Sequence, residues 1–164
     1  MRPWMAHLSA RNNMTTVVRP AVLDDVTWLL NEVEEFDRFA GFNKSLIPQD
    51  KSKFLYVLEG LILNHVFLVA EHESVPQGFI VGVLAPHHFN DEILVLTELL
   101  WWVRTDYRNT RAGAVLFEGF MDIGRREADW IVMTLEAKSP VKPETLSKRG
   151  FRLQETSYIH EVQH

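Results

Sequence analysis

Residues 93–128, ILVLTELLWWVRTDYRNTRAGAVLFEGFMDIGRREA, limit what this chain can fold into more than any other stretch. A run of β-branched, leucine and aromatic residues stops at a polar turn, and apolar residues then resume at helical spacing. The pattern is strand, turn, helix. The turn Thr105-Asp106-Tyr107-Arg108-Asn109-Thr110-Arg111 carries two arginines, and the helix behind it starts on Ala112-Gly113-Ala114, whose small side chains leave backbone N–H groups uncovered. A helix start of that kind favours an anion such as phosphate.

The other elements follow from periodicity and punctuation. Residues 15–19 read as a short strand stopped by Pro20, and Asp24-Asp25 head a helical pattern of Val26, Leu29, Leu30, Val33 and Phe36. Pro48 stands as a first helical position before Phe54, Leu55, Leu58, Leu61 and Ile62, with the helix ending near Asn64. Residues 66–71 and 79–85 read as strands joined by a turn over 73–78, and 86–92 as a polar connection to the long strand that begins at Ile93. These three strands are expected to form an antiparallel meander. The helix from Ala112 places Ala112, Leu116, Phe120 and Ile123 on one face. A fifth strand over 130–135 runs parallel to the fourth, because a helix crosses between them. Lys142-Pro143-Glu144 opens a short helix ended by Gly150, and 151–153 and 157–162 read as two closing strands. The order is that of an α+β fold.

Composition narrows the function. At 164 residues the chain is long enough to bury about two-thirds of its unfolded surface in one domain. A net charge of −5 argues against non-specific nucleic-acid binding, so no nucleic-acid partner is expected. The absence of cysteine excludes a disulfide framework and a thiol nucleophile. No run reaches the ~18 apolar residues that cross a bilayer, and the first thirteen residues lack a signal-peptide core. A cytoplasmic protein without a membrane partner is expected, with 1–13 as a poorly ordered extension or alternative start before Met14.

Residues 103–114 resemble the acetyl-CoA signature of the GCN5-related N-acetyltransferases, V-x-P-x-Y-R-x-x-G-x-G/A after the fourth strand. Thr105 stands where proline is common, and Arg111 where the first glycine is usual. Trp101-Trp102-Val103 followed by Arg111-Ala112-Gly113 also resembles the small acetyltransferases of phages and prophages. The resemblance implies a single acetyltransferase-like domain over 14–164. Its mixed, mostly antiparallel sheet would have six to seven strands and about four flanking helices, with strands four and five parallel and splayed. It implies acetyl-CoA as cosubstrate, with no metal. The backbone of Trp102 and Val103 would pair with the pantetheine arm. The N–H groups of Arg111, Ala112, Gly113 and Ala114 would hold the pyrophosphate, with Arg108 as a charged neighbour. Acetyl would pass to a primary amine on a small molecule, a peptide N-terminus or a protein lysine, by direct transfer in a ternary complex.

The catalytic residues that the resemblance implies are fewer. Glu98 is the candidate base, alone or through water; a β-bulge there would change which face it occupies, and a surface glutamate is the alternative. The usual tyrosine four residues before the final Gly150-Phe151 is Leu146 here, which leaves Tyr158 or Ser147 to protonate the thiolate. A core role for Tyr158 is the other reading. His87 and His88 beside Asp91 and Glu92 lack the spacing of a metal site. The acceptor is expected near Phe36, Asp37, Phe39 and Phe42 and near 87–90, with Glu34, Glu35 and Asp37 as acidic neighbours. Two other readings stand beside the enzyme: a degenerate CoA-binding or regulatory module, and a phage-associated structural protein. A homodimer through the edge of the last strands is a further expectation.

Overall fold

The computed structural model describes residues 15–41, 44–160 and 162. They form two compact units that divide between Thr134 and Leu135. The extension expected over 1–13, and Phe42, lie outside the described residues.

The first unit contains β1 (Val17–Pro20), α1 (Val26–Ala40), α2 (Lys51–Asn64), β2 (Val66–His72), β3 (Val75–His87), β4 (Asn90–Val103), α3 (Ala112–Glu127) and β5 (Trp130–Val132). The sheet order is β1-β2-β3-β4-β5. All neighbours are antiparallel except β4 and β5, which are parallel across the α3 crossover. β2 is buried on both faces because its residues alternate between two cores. Phe67 and Val69 pack with Leu29, Val33 and Phe36 of α1 and with Leu58 and Ile62 of α2. Val66, Leu68 and Ala70 pack with Ala112, Leu116, Phe120 and Ile123 of α3. The α3 face expected from helical spacing is therefore the one that covers the sheet.

Several boundaries move, each for a local reason. α2 begins at Lys51 rather than Pro48, since the Asp50 carboxylate accepts the Ser52 N–H at 3.1 Å and caps the helix there. The β2–β3 turn is tighter than expected: Glu73 and Ser74, at φ 51° and 65°, adopt the left-handed pair that joins strands closely. Pro76 is accommodated inside β3 beside a register shift at Ala70/Glu71. At its far end the β3–β4 hairpin extends through what reads as a polar loop, pairing His87 with Asn90. Gly78 lets these strands close at the opposite end, where an added Cβ would sit 2.5 Å from the Trp102 carbonyl oxygen.

The second unit holds α4 (Pro143–Ser147), with proline in its first turn as the sequence indicates. The two closing strands expected over 151–153 and 157–162 are not formed among the described residues, so the sheet has five strands rather than six or seven. Alternating apolar residues make a strand only when a neighbouring ladder takes their backbone groups, and among the described residues no ladder includes these segments. No helix among the described residues is long and apolar enough to cross a membrane.

An ion-paired knot ties β1 to the start of α1. Arg19 donates to both Asp25 oxygens, at 2.7 and 2.8 Å, and through Nε to Glu71 at 2.6 Å. The Val22 N–H donates to Asp25 at 2.8 Å. Burial pushes the Asp25 carboxyl up, but these bonds and the Arg19 charge pull it below its ordinary 3.8. The carboxyl is thus more acidic folded than unfolded. Its stabilisation is complete above the unfolded pKa and fades as pH falls through the lower folded value. Asp25→Asn is expected to cost about 2 kcal/mol at neutral pH by removing the charged partner of Arg19. It should also flatten the loss of stability below about pH 4. Urea unfolding across pH checks both; equal acid slopes in the two proteins would count against this role.

Candidate functional site

The feature that opens a site is the short β4–β5 ladder. Asp129 pins its start: its N–H donates to the Leu94 carbonyl at 2.8 Å, and its carboxylate accepts the Leu94 N–H at 2.8 Å. Val95, Leu96 and Thr97 then pair with Trp130, Ile131 and Val132, and the ladder stops. Past that point no strand among the described residues pairs with β4 on this side. A bulge of the kind that would change the face of Glu98 is present. Gly82 pairs with Glu98 and Val81 with Leu100, which leaves Leu99 unmatched. Glu98 is buried, and its Oε2 accepts the Thr134 N–H at 3.0 Å. The candidate base therefore stands where the two strands part, already engaged to the chain that follows β5.

The turn after β4 delivers α3 with its first N–H groups open. A single 3-10 turn, Thr105–Tyr107, leads to Thr110, whose hydroxyl donates to the Tyr107 carbonyl at 2.7 Å and accepts the Ala112 N–H at 3.2 Å. Thr110 thus takes up the first N–H of α3, a role the sequence pattern did not single out. Among the described residues the N–H groups of Arg111, Gly113 and Ala114 have no acceptor, so the cradle expected over 111–114 lacks only Ala112. Trp101 stacks on Phe117 of α3, their ring centres 5.6 Å apart, and shapes the surface beneath this helix start.

The arginines are distributed unequally. Arg111 is exposed. Arg108 lies over the rings of Phe39, at 4.5 Å, and Trp102, at 4.7 Å, and its Nε donates to the Val103 carbonyl at 3.3 Å. Trp102, expected to act through its backbone, turns its backbone groups to Phe79 of β3 instead, and it is the side chain that reaches the site: the buried indole N–H donates to Glu32 at 3.1 Å. Arg104 pairs with the other Glu32 oxygen at 3.3 Å. Sequence reasoning missed Glu32, although its position between Leu29 and Phe36 on the apolar stripe of α1 was a signal.

The two parts of the expected acceptor region are not brought together. Phe36 and Phe39 pack on Trp102 near the end of β4, whereas 87–90 form the hairpin tip at its start, where His87 lies against Trp130. Some 12 residues of strand, about 40 Å, separate them. Asp37 lines a separate cleft of about 300 Å³ with Glu34, Arg38, Ser45, Pro48 and Lys51. Its carboxylate is occupied by the Ser45 hydroxyl and the Leu46 N–H, at 2.7 and 2.9 Å. Tyr158 is 92% exposed in a segment of the second unit that forms no helix or strand, so its core reading does not hold.

No family model and no curated protein matches the chain. Solved structures do. A GCN5-related N-acetyltransferase from Ralstonia eutropha superposes with a TM-score of 0.69 at 17% identity, over 90% of this chain and 99% of that one. A predicted acetyltransferase from Clostridium acetobutylicum, solved with acetyl-CoA, gives 0.66 at 14%, over 91% and 96%. A transcriptional regulator from Bacillus halodurans gives 0.70 at 12%, over 90% and 100%. The class is thus an α+β protein with a mixed sheet parted between its fourth and fifth strands. Its fold is that of the GCN5-related N-acetyltransferases.

The space at Gly113 yields a direct test. A Cβ there would meet Val103 and Trp101 at 3.6 and 3.7 Å, ordinary contact distances, so packing does not require glycine. Gly113→Ala is expected to raise stability by about 0.5 kcal/mol through the unfolded chain's lost freedom. A lower urea midpoint would show that the first turn of α3 has no such room.

Proposed function

We propose that the chain is an acetyl-CoA-dependent N-acetyltransferase. The observation that carries this reading is the juxtaposition, around Val103 and Gly113, of an unpaired β4 edge and a helix start with open N–H groups. The residues fit an elongated ligand with an amide-bearing arm and a phosphate: backbone groups of Val103 for the arm, those of Trp102 facing Phe79 across the β3–β4 ladder instead, and N–H groups of Arg111, Gly113 and Ala114 for the phosphate. Arg111 and Arg108 add positive charge nearby, Arg108 from its seat on Phe39 and Trp102. The ligand supplies an acetyl thioester.

In this reading a neutral primary amine attacks the acetyl carbon. The carbon–sulfur bond breaks, the amine proton leaves towards Glu98 or water, and the CoA thiolate takes a proton from water. Without cysteine the chain cannot form a cysteinyl acetyl-enzyme, which favours direct transfer in a ternary complex. The amine belongs to a small molecule, a peptide N-terminus or a protein lysine. A second reading, a binding module that retains CoA without turnover, is favoured by two observations: Leu146 in place of the usual tyrosine, and a Glu98 carboxylate already bonded to Thr134.

Calorimetric titration of acetyl-CoA into the wild type and Ala114→Glu tests the cofactor site. An acidic residue in the first turn suits the helix dipole, so the variant should stay folded while repelling phosphate. The wild type is expected to bind and Ala114→Glu to bind at least tenfold more weakly. Equal affinities would remove the α3 start from the site. Thiol release with a panel of primary amines separates the enzyme from the module, and Glu98→Gln should slow that release.

A further inference from the structure

Glu32 is a charged group in the core, 8% exposed on the stripe of α1 that also carries Leu29, Val33 and Phe36. An apolar residue would fill this place without the cost of desolvating a carboxylate. What the carboxylate adds is direction. One oxygen accepts the indole N–H of Trp102 at 3.1 Å, and the other pairs with the Arg104 guanidinium at 3.3 Å. These partners flank Val103, whose backbone lies on the open β4 edge. Arg104 is tied in turn to β3: its N–H donates to the Gln77 carbonyl at 3.0 Å and its Nη1 to the Pro76 carbonyl at 3.3 Å. Trp102, held by Glu32 and edged by Phe36 at 5.8 Å, is one of the two rings on which Arg108 rests. A single buried carboxylate thus fixes both residues around Val103 and, through Trp102, the seat of Arg108 in the turn that leads to α3.

We infer that Glu32 is a positioning residue for the phosphate-bearing ligand: it holds Trp102 and Arg104 so that the Val103 backbone and the 104–111 turn are in place before binding. The inference rests on the acetyl-CoA reading above. Its test is calorimetric titration of acetyl-CoA and free CoA into the whole chain, well below the melting temperature, for wild type, Glu32→Gln, Glu32→Ala, Arg104→Gln and the Glu32→Gln/Arg104→Gln double variant. Glu32→Gln keeps the shape and an acceptor for Trp102 but loses the charge facing Arg104, so it stays informative if Glu32→Ala does not fold.

The expected result is a Kd about tenfold weaker for Glu32→Gln, the scale seen when a partner behind a contacting group is removed. Glu32→Ala should be weaker still, and the double variant no weaker than its weaker single, because the two side chains act as one unit. A merely structural role would lower the melting temperature and leave Kd of the folded protein unchanged; that outcome overturns the inference, as would losses that add in the double variant. A wild type that binds neither ligand overturns the acetyl-CoA reading itself, and Glu32's role with it.

Discussion

A parallel ladder three residue pairs long sets the conditions for the candidate site. Parallel strands need a crossover, and α3 supplies it; the same helix must therefore begin close to the end of β4 and return to the start of β5. Asp129 makes that return firm with two hydrogen bonds to Leu94. Beyond Thr97 the strands no longer pair, and the Leu99 bulge changes the course of β4 at that point. Backbone groups left on such an edge need partners. Thr134 finds one in the Glu98 side chain, and Val103 finds one in Arg108. Side chains thus stand in where a longer β5 would have bonded.

Electrostatics works locally here. With a net charge of −5, the chain as a whole does not draw in a polyanion. The local positive feature is the first turn of α3, where the helix dipole and uncovered N–H groups coincide. Arg104 contributes little, since Glu32 compensates its charge. Arg111 differs: it is exposed, and no ion pair engages it among the described residues. At the position where a glycine would give a phosphate closer access to the backbone, it supplies charge instead.

The elements that periodicity describes well were legible. The α3 stripe of Ala112, Leu116, Phe120 and Ile123 is the buried one, and the run over 66–71 that reads as a strand is β2, buried on both faces. The strand–turn–helix order around Val103 was legible for the same reason. Boundaries were less legible where a polar side chain decides them: Asp50 resets the start of α2, and the left-handed pair Glu73-Ser74 tightens a turn that carries no glycine at those positions. The closing strands misread for a different reason. Residues such as Phe151 and Leu153 have the right alternation, but a strand is a property of two segments, and one segment's sequence does not contain its partner.

The interior of the site was the least legible part, and Glu32 shows why. In a helical pattern, a glutamate among Leu29, Val33 and Phe36 looks like an interruption of the apolar face. Its meaning depends on Trp102, 70 residues later, whose indole N–H is equally mute in the sequence. Each group alone would be costly to bury; together they satisfy each other. Arg108 follows the same logic, since its resting place on Phe39 and Trp102 joins α1 to the end of β4. Short-range pattern identifies which strand and helix meet at the site. The polar contacts that fix their geometry connect residues distant in the chain, and only the folded structure brings those into view.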